Sequence, residues 1–469
     1  MADIKNFLQT LLNAGEIKIA VSRAPLFEAF IKDEQTIQAV GKIIECQKML
    51  TDKWKLKNRI ADINQQNVQI PNGTVGKAYE AVLDFSKLGW GDFVYHTLEG
   101  TDSVGVNYDS VHHKITGTPI QSGDIKLKLK YRLQNEQDNS ELNEKTISFI
   151  INPDPKSLWK NIPSNRDDPY WKEDDLAVVS ELGDKHIVVA SKRGRSHANV
   201  GSFRDDDFAF KYFEQTGWSV IAVADGAGSA KLSRKGSAIA CSAVIDYFTE
   251  NLAGTAFADF DILLKEHNDQ MTADTQKKLS HFVYNNLGQA ALNVHKKLDD
   301  FANNISIPIK DLHSTLIFVL IKKYDFGYAV LSFGVGDCPI GLLNKDMSEI
   351  WLMNWLDVGE FGGGTRFITM PEIFKSDKFS TRFGYKLVND FSYLALMTDG
   401  IYDPKFVVEA NLEKIDSWKT FIEDLKGENT EGIKVDFSTE NKHVAEQLSS
   451  WMDFWSAGNH DDRTLAIVF

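Results

Sequence analysis

Apolar runs of strand length recur from about Leu176 to Phe469, and they constrain the fold of this chain more than any other feature. The runs are "HIVVAS", "WSVIAVAD", "STLIFVLIKK", "GYAVLSFGVGD", "SYLALMTD" and "TLAIVF". Between them, "SRKGSAIACSAVIDYFTENL" and "KKLSHFVYNNLGQAALNVHKKLDDF" place apolar residues at helical spacing. The pattern predicts a domain of mixed strands and helices, an α+β class, over residues 180–469.

The first third of the chain has a different pattern of apolar and polar residues. Residues 1–65 place apolar side chains at roughly helical spacing, which predicts a helical segment. Residues 67–152 read as a small all-β domain, in which "IKLKLKYR" alternates apolar residues with Lys126, Lys128 and Lys130. Residues 153–179 are rich in proline and charge without a period, which is typical of a linker.

Composition excludes several classes of function. The chain has 469 residues, a net charge of −14 and 43% hydrophobic residues, so two to four soluble domains are expected and nucleic acid is not an expected partner. Its three cysteines lie far apart, which suits a reducing compartment and predicts neither a zinc site nor a disulfide. With no signal-peptide pattern and no long apolar run, we expect a cytoplasmic protein without a membrane partner.

Aspartates stand at the ends of several predicted strands. They occur in "VADGAG" (Asp225), "GVGDCP" (Asp337), "MTDGIYD" (Asp399) and "NHDDRT" (Asp461). A further acidic cluster, "RDDDFAF", precedes another strand. Carboxylates on rigid strand ends can converge at one end of a sheet stack. Oxygen ligands without cysteine suit hard cations such as Mg²⁺ or Mn²⁺.

One of these junctions meets the requirements of a two-metal site. Two divalent ions about 3.5–4 Å apart can hold a hydroxide and clamp a phosphoryl oxygen. One carboxylate must bridge them, and a nearby backbone carbonyl must reach a metal. Asp225 followed by Gly226 supplies both, because glycine lets the chain turn and approach closely. A lone Asp-Gly is also a common turn, so the ordered set of junctions is the stronger signal.

Taken together, "RDDDF", "VADGAG", "GVGDCPIGLL", "MTDGIYD" and "DDRTLAIV" resemble the metal-dependent (type 2C, PPM-type) serine/threonine protein phosphatases. The similarity extends from about Lys185 to Phe469. It is closest to a bacterial branch with a "GRSH" segment and a "GE…T" segment, Gly359, Glu360 and Thr365. The resemblance implies a β-sandwich flanked by helices. The stretch from "GVNYDS" to "KLKYR", with its "GTP…G" turn, resembles bacterial immunoglobulin-like modules.

The resemblance also implies roles for the acidic residues, with Mn²⁺ or Mg²⁺ as cofactors and a metal-bound hydroxide that attacks phosphorus directly. Asp225 would bridge two ions, the Gly226 carbonyl would bind one, and Asp399 and Asp461 would complete the shell of the other. Asp337 matches an aspartate that holds a third, weaker ion in some bacterial members. The acidic pair that contacts metal-bound water is matched by Asp206 and Asp207, and the resemblance also implies Asp207 as a metal ligand.

The chain departs from the family pattern where the substrate phosphate binds. The family arginine usually lies five residues before the second residue of the acidic pair, a position held here by Ser202. Arg204, Arg195 and His197 are candidates for this role, and we favour Arg195 with His197 because a guanidinium fork suits a phosphate dianion. A surface role for the arginine is an equal alternative. Asp462 stands where the family often has asparagine.

Two functions therefore follow from the sequence. The first is a phosphoserine/phosphothreonine protein phosphatase acting on phosphoproteins. The second is a pseudophosphatase that binds phosphoproteins or scaffolds a kinase. The bacterial branch often accompanies protein kinases and von Willebrand A-type proteins, which are the partners that the resemblance implies. The N-terminal modules would either recruit such partners or buttress the catalytic domain.

Overall fold

The computed structural model describes residues 2–357, 364–456 and 458–469. The chain divides into two compact units, the first ending at Leu158 and the second running from Trp159 to Phe469. Among the described residues, no helix combines the length and the apolar character needed to cross a bilayer. Gly359 and Glu360 lie outside the described residues.

The first unit begins with helices and continues with strands. Its elements are α1 (Ala2–Ala14), α2 (Ala24–Phe30), α3 (Glu34–Gln65), β1 (Gly73–Thr74), β2 (Tyr79–Val82), α4 (Phe85–Leu88), β3 (Phe93–Glu99), β4 (Val106–Asp109), β5 (Lys114–Gly117), β6 (Gly123–Leu133) and β7 (Asn143–Asn152). The strands form two sheets, β1-β7-β6-β3 and β2-β5-β4, around one apolar core. The immunoglobulin-like assignment of this module stays a prediction.

The second unit alternates strands and helices, as the apolar runs predicted. Its elements are β8 (Asp175–Leu182), β9 (Lys185–Lys192), α5 (Arg195–Val200), β10 (Asp207–Phe213), β11 (Trp218–Ala224), α6 (Ser233–Asn251), α7 (Thr255–Asp269), α8 (Ala273–Asn304), β12 (Leu316–Tyr324), β13 (Gly327–Val335), β14 (Ile340–Asn344), β15 (Ile350–Leu352), β16 (Phe383–Val388), β17 (Phe391–Met397), α9 (Asp399–Phe406), α10 (Ile415–Leu425), α11 (Val444–Trp451) and β18 (Arg463–Val468).

Two sheets of this unit face each other across a shared core. The orders are β10-β11-β12-β13-β16 and β15-β14-β17-β18-β9-β8. Val223, Ile317 and Val330 from one sheet meet Val189, Leu396 and Ala466 from the other in a single buried cluster. Helices α6, α7 and α8 cover the outer face of the first sheet, and α9, α10 and α11 cover that of the second. The predicted α+β class and helix-flanked sandwich are confirmed.

Residues 159–174, which we call the strap, do not behave as a free linker. The Ile162 amide donates to the Ala198 carbonyl of α5 at 2.8 Å. Asp168 pairs with Arg234 at the start of α6 at 2.8 Å. The strap therefore belongs to the second unit, and the linker bounds of 153–179 stay a prediction. The strap sequence has no period because each of its anchoring residues contacts a different part of the second unit.

Candidate metal centre

Strand-end loops bring carboxylates together at one end of the sandwich. The Asp225 carbonyl accepts from the Thr315 amide at 2.8 Å, and the Asp225 amide donates to the Thr315 hydroxyl at 2.9 Å. Asp399 begins α9, and its carboxylate is close enough for its charge to act on that of Asp225. Asp461 and Asp337 are near enough for their charges to act on Asp225. The structure thus brings together four acidic residues that the sequence placed on separate junctions.

Two glycines allow the loops to approach this closely. A β-carbon on Gly226 would lie 2.5 Å from the carbonyl oxygen of Asp205, and one on Gly400 would overlap the carbonyl oxygen of Asp462. Each glycine follows an aspartate of the cluster. The Asp-Gly pairs therefore bring the carboxylates close to the neighbouring backbone, as predicted for Gly226.

Crowding and burial disturb the ionisation of these aspartates. Burial, followed by the negative charge of Asp399, raises the pKa of Asp225 well above its usual range. Burial, followed by the charges of Asp461 and Asp337, raises the pKa of Asp399 to about 7. A carboxylate among other carboxylates is unfavourable unless a cation neutralises it.

Asp206 adds a fifth carboxylate, 1% exposed, to this end of the sandwich. Its Oδ2 atom accepts from the hydroxyls of Thr398 and Thr464, each at 2.8 Å. Its Oδ1 atom finds no hydrogen-bond partner among the described residues. Burial and the charge of Asp462 raise its pKa well above the usual range. One oxygen is therefore fixed while the other is left for a ligand.

His197 and Asp462 form an ion pair beside the carboxylate cluster. His197 Nδ1 lies 2.9 Å from Asp462 Oδ1, and the Gly194 amide donates to the same oxygen at 2.6 Å. Burial alone would lower the pKa of His197, but the hydrogen bond to Asp462 and the nearby carboxylates raise it to about 9. Ligand atoms of His197, Asp461 and Asp462 lie within 4.8 Å of one another.

The donor set fits divalent ions that prefer oxygen ligands. The cluster offers carboxylates and a backbone carbonyl, and both cysteines of this unit are buried with pKa values raised by burial. Asp399 Oδ1, like Asp206 Oδ1, has no hydrogen-bond partner among the described residues although it is buried. Such orphaned acceptors are costly in a closed fold and are satisfied by a cation.

Comparison with known families decides the identity of the second unit. The family model described as Protein phosphatase 2C matches residues 193–452, more than half of the chain. The chain belongs to the protein phosphatase 2C family. A comparison with curated proteins returned no match.

Several solved structures of serine/threonine phosphatases are similar to this chain and distant from it in sequence. The catalytic domain of the serine/threonine phosphatase PstP in complex with two manganese ions is 15% identical, with a TM-score of 0.35, covering 62% of this chain and 98% of that one. The phosphatase Stp1 from Staphylococcus aureus is 16% identical, with a TM-score of 0.33, covering 60% and 93%. The Mycobacterium tuberculosis phosphatase PstP/Ppp is 14% identical, with a TM-score of 0.34, covering 62% and 98%.

Arg195 and Arg204, the candidate phosphate-binding arginines, do not contact the carboxylates of the cluster. Arg195 donates to the backbone carbonyls of Asp453, at 2.6 Å, and Phe454, at 3.0 Å, and stacks on Trp455. Arg204 is 2% exposed and donates to other backbone and hydroxyl groups inside the fold. The phosphate-binding role that the sequence favoured for Arg195 therefore has no support in its contacts. His197 alone of the favoured pair faces the site.

Asp207 points away from the cluster, whereas Asp206 points into it. Lys172 of the strap donates to Asp207 Oδ2 at 3.0 Å and to the Asp206 carbonyl at 2.6 Å. Asp207 Oδ1 accepts from the Phe208 amide at 2.9 Å. Adjacent residues on a strand face opposite sides. The geometry therefore gives no support to Asp207 as a metal ligand and favours Asp206 for the acidic contact.

Asp337 sits at the edge of the cluster. Its Oδ2 atom accepts from the Thr365 hydroxyl at 2.7 Å, and burial raises its pKa. Thr365 is the described part of the "GE…T" segment, and it contacts a predicted metal-site residue.

Sequence reasoning missed Thr398, Thr464 and Lys172. Thr398 directly precedes Asp399, and Thr464 lies two residues after Asp462 in the "DDRT" motif, so their position at strand ends was an available signal. Lys172 lies in an aperiodic segment where no local pattern distinguishes it from solvated lysines.

Proposed function

We propose that this chain is an Mn²⁺- or Mg²⁺-dependent hydrolase of phosphoserine and phosphothreonine in proteins. The observation that carries the proposal is the convergence of Asp225, Asp399, Asp461 and Asp206, with buried carboxylate oxygens left unpaired. Asp225, the Gly226 carbonyl, Asp399 and Asp461 would hold two ions, and Asp337 a third. When bound, such ions supply an activated water nucleophile and offset the charge on phosphoryl oxygens.

The other residues of the site position water and substrate. Thr398 and Thr464 fix one oxygen of Asp206, so its second oxygen is oriented to accept from a water molecule. His197 is held cationic by Asp462, and it supplies positive charge to a phosphate dianion where the family arginine is absent. Its Nε2 atom faces the turn after Gly226, 3.9 Å from the position of a β-carbon on Gly228.

Phosphate release tests this function directly. Purified full-length protein should release phosphate from a phosphoserine peptide and from an aryl phosphate with Mn²⁺, and release should stop in EDTA. His197→Gln should raise KM for the peptide more than it lowers kcat, because it removes the proposed phosphate contact. Absence of release with both metals from a natively folded sample would refute the proposal.

A specific observation favours a second function, a pseudophosphatase that binds phosphoproteins. Neither Arg195 nor Arg204 contacts a carboxylate of the cluster, so neither of these candidates supplies the guanidinium fork of the family pattern. A pseudophosphatase would bind a fluorescent phosphopeptide and leave it intact during prolonged incubation with Mn²⁺. The sequence resemblance further proposes a cognate kinase or a von Willebrand A-type protein as partner, and a cytoplasmic location.

A further inference from the structure

An open groove adjoins the carboxylate cluster on the side of Asp461. It has a volume of about 570 Å³ and is lined by Asp403, Lys405, Val407, Phe454, Trp455 and Asn459, among others. Resting on the proposed function, we infer that this groove binds an apolar side chain of the phosphoprotein close to the phosphorylated residue. It would thereby set substrate preference.

Hydrogen bonds connect the groove to the cluster without a gap. Asn459 accepts from the Asp461 amide at 3.1 Å and donates to Asp403 at 3.3 Å. Asp403 lies one turn after Asp399 in α9, on the same helix face. A peptide whose phosphate reached Asp399 and Asp461 would therefore pass its next residues across Asn459 into the groove.

Two aromatic residues, Phe454 and Trp455, line the groove and are held by cationic side chains. Phe454 is 3% exposed, with Lys405 over its ring at 3.9 Å and Arg463 over its ring at 3.8 Å. Trp455 is stacked by Arg195 and lies near the His460 ring, at 4.8 Å between centroids. Fixed aromatic surfaces bind side chains at low entropic cost.

The rim carries an apolar residue in an unfavourable conformation. Val407 has φ 67° and ψ −43° and is 77% exposed. The Val408 amide donates to the Phe406 carbonyl at 2.7 Å across it, which makes a tight turn. A β-branched residue rarely adopts positive φ. The packing of the exposed Val407 side chain in the free protein does not offset the cost of this conformation. A peptide side chain that covers Val407 gives this exposed residue a contact.

Kinetics on matched peptides tests the inference. Phosphoserine peptides carry leucine, phenylalanine or glycine at each of the three positions on either side of the phosphoserine, with all else glycine-serine. We expect wild-type kcat/KM to be about tenfold higher for leucine or phenylalanine at one or two positions, the effect of burying one apolar side chain. Val407→Asp and Val407→Gly should both abolish that preference.

Two variants keep the result interpretable. Val407→Gly suits positive φ, so its unfolding temperature should not fall and a lost preference cannot be blamed on misfolding. Ile262→Asp changes an exposed apolar residue of α7, 59% exposed, and should leave the preference intact. A wild-type protein without any preference, or a preference that survives both Val407 variants, would overturn the inference.

Failure of the proposed function gives a different result. If wild-type protein releases no phosphate even from an aryl phosphate with Mn²⁺, the hydrolase proposal fails, and the groove is tested by fluorescence anisotropy with the same labelled peptides. Tighter binding of leucine or phenylalanine peptides, lost in Val407→Asp, would support the groove. Equal binding of all peptides would overturn it.

Discussion

The charges of several other carboxylates act on Asp225. A substitution at this position therefore distinguishes a role in catalysis from a role in folding. Asp225→Asn removes the proposed bridging anion and keeps the side-chain shape. We expect phosphate release at saturating Mn²⁺ to fall by orders of magnitude while the circular dichroism spectrum stays native. Asp246→Asn, on an exposed position of α6, should retain full activity. Near-native turnover of Asp225→Asn would disprove the two-metal assignment.

The raised pKa of Asp399 predicts how the stability of the metal-free protein depends on pH. Its pKa is raised from the ordinary 3.8 to about 7, chiefly by burial. Between these values the folded state binds a proton that the unfolded state has released, so stability declines as pH rises through this window. In EDTA, the unfolding midpoint of Asp399→Asn relative to wild type should therefore increase from about pH 4 to about pH 7 and then level off.

The control for this titration is an aspartate without such surroundings. Asp416 has a 94% exposed side chain, and Asp416→Asn should track wild type across the same pH range. A constant difference between Asp399→Asn and wild type at every pH would contradict the raised pKa.

The sequence could identify the carboxylates but not their orientation. Asp225, Asp399 and Asp461 follow from their places at the ends of apolar runs. The period of two along a strand also implies that Asp206 and Asp207 face opposite ways. Which of the two faces the cluster depends on Lys172, far from both in sequence, which holds Asp207 on the other side. For the same reason, Arg195 could not be excluded before its contacts with Asp453 and Phe454 were seen.

Among the elements, the strap connects the acidic motif to the rest of the second unit. Lys172 and Asp207 are 15% and 16% exposed at the side chain and form an ion pair at 3.0 Å. Lys172→Met should lower the free energy of unfolding by about 3 kcal/mol, at the lower end for a buried pair because both groups keep some exposure. We also expect a higher Mn²⁺ concentration at half-maximal activity, since Asp206 loses its backbone support.

A double-mutant cycle checks this assignment. The combined variant Lys172→Met with Asp207→Asn should be less destabilised than the sum of the single changes, because neither leaves the other charge unpaired. Lys160→Met, on an exposed strap lysine, serves as the matched control and should leave stability and metal dependence unchanged. Additive effects in the cycle would show that the pair contributes nothing.

Most of the long periodic elements could be predicted from the sequence. Helices α6 and α8 correspond to the two helical patterns, and every apolar run became a strand. Helix α7 was missed, although Phe257, Phe260 and Leu264 occur at helical spacing on its buried face. The strap was taken for part of a linker because its anchors, such as Ile162 and Asp168, follow no period. Their partners are supplied by α5 and α6, which only the fold brings near.

At the scale of the whole molecule, the boundary between the units predicts where the chain can be divided. A truncated chain beginning at Trp159 should fold and release phosphate from an aryl phosphate at close to the full-length rate, because the second unit is complete from that residue. A chain beginning at Asp167 should unfold at a lower temperature, since it loses Ile162 and Ser164 of the strap. Equal unfolding temperatures for the two chains would contradict the role of the strap.

The structure of the N-terminal unit supports the recruitment hypothesis less than its sequence did. The lysine face of β6 is largely neutralised within the unit. Lys126 pairs with Asp124 at 2.7 Å, Lys128 with Glu144 at 3.0 Å and Lys130 with Glu99 at 2.7 Å. An acidic partner would have to compete with these carboxylates for the lysines, although exposed ion pairs of this kind are weak.

Strand β18, the last of the second unit in sequence, lies inside its sheet between β17 and β9. During synthesis, both neighbours emerge from the ribosome before the strand that joins them exists. The sheet cannot close until residue 468 has been made, and Asp461 reaches the cluster only then. A chain that stops before Arg463 would therefore lack the strand that joins β17 to β9, and we expect it to release no phosphate.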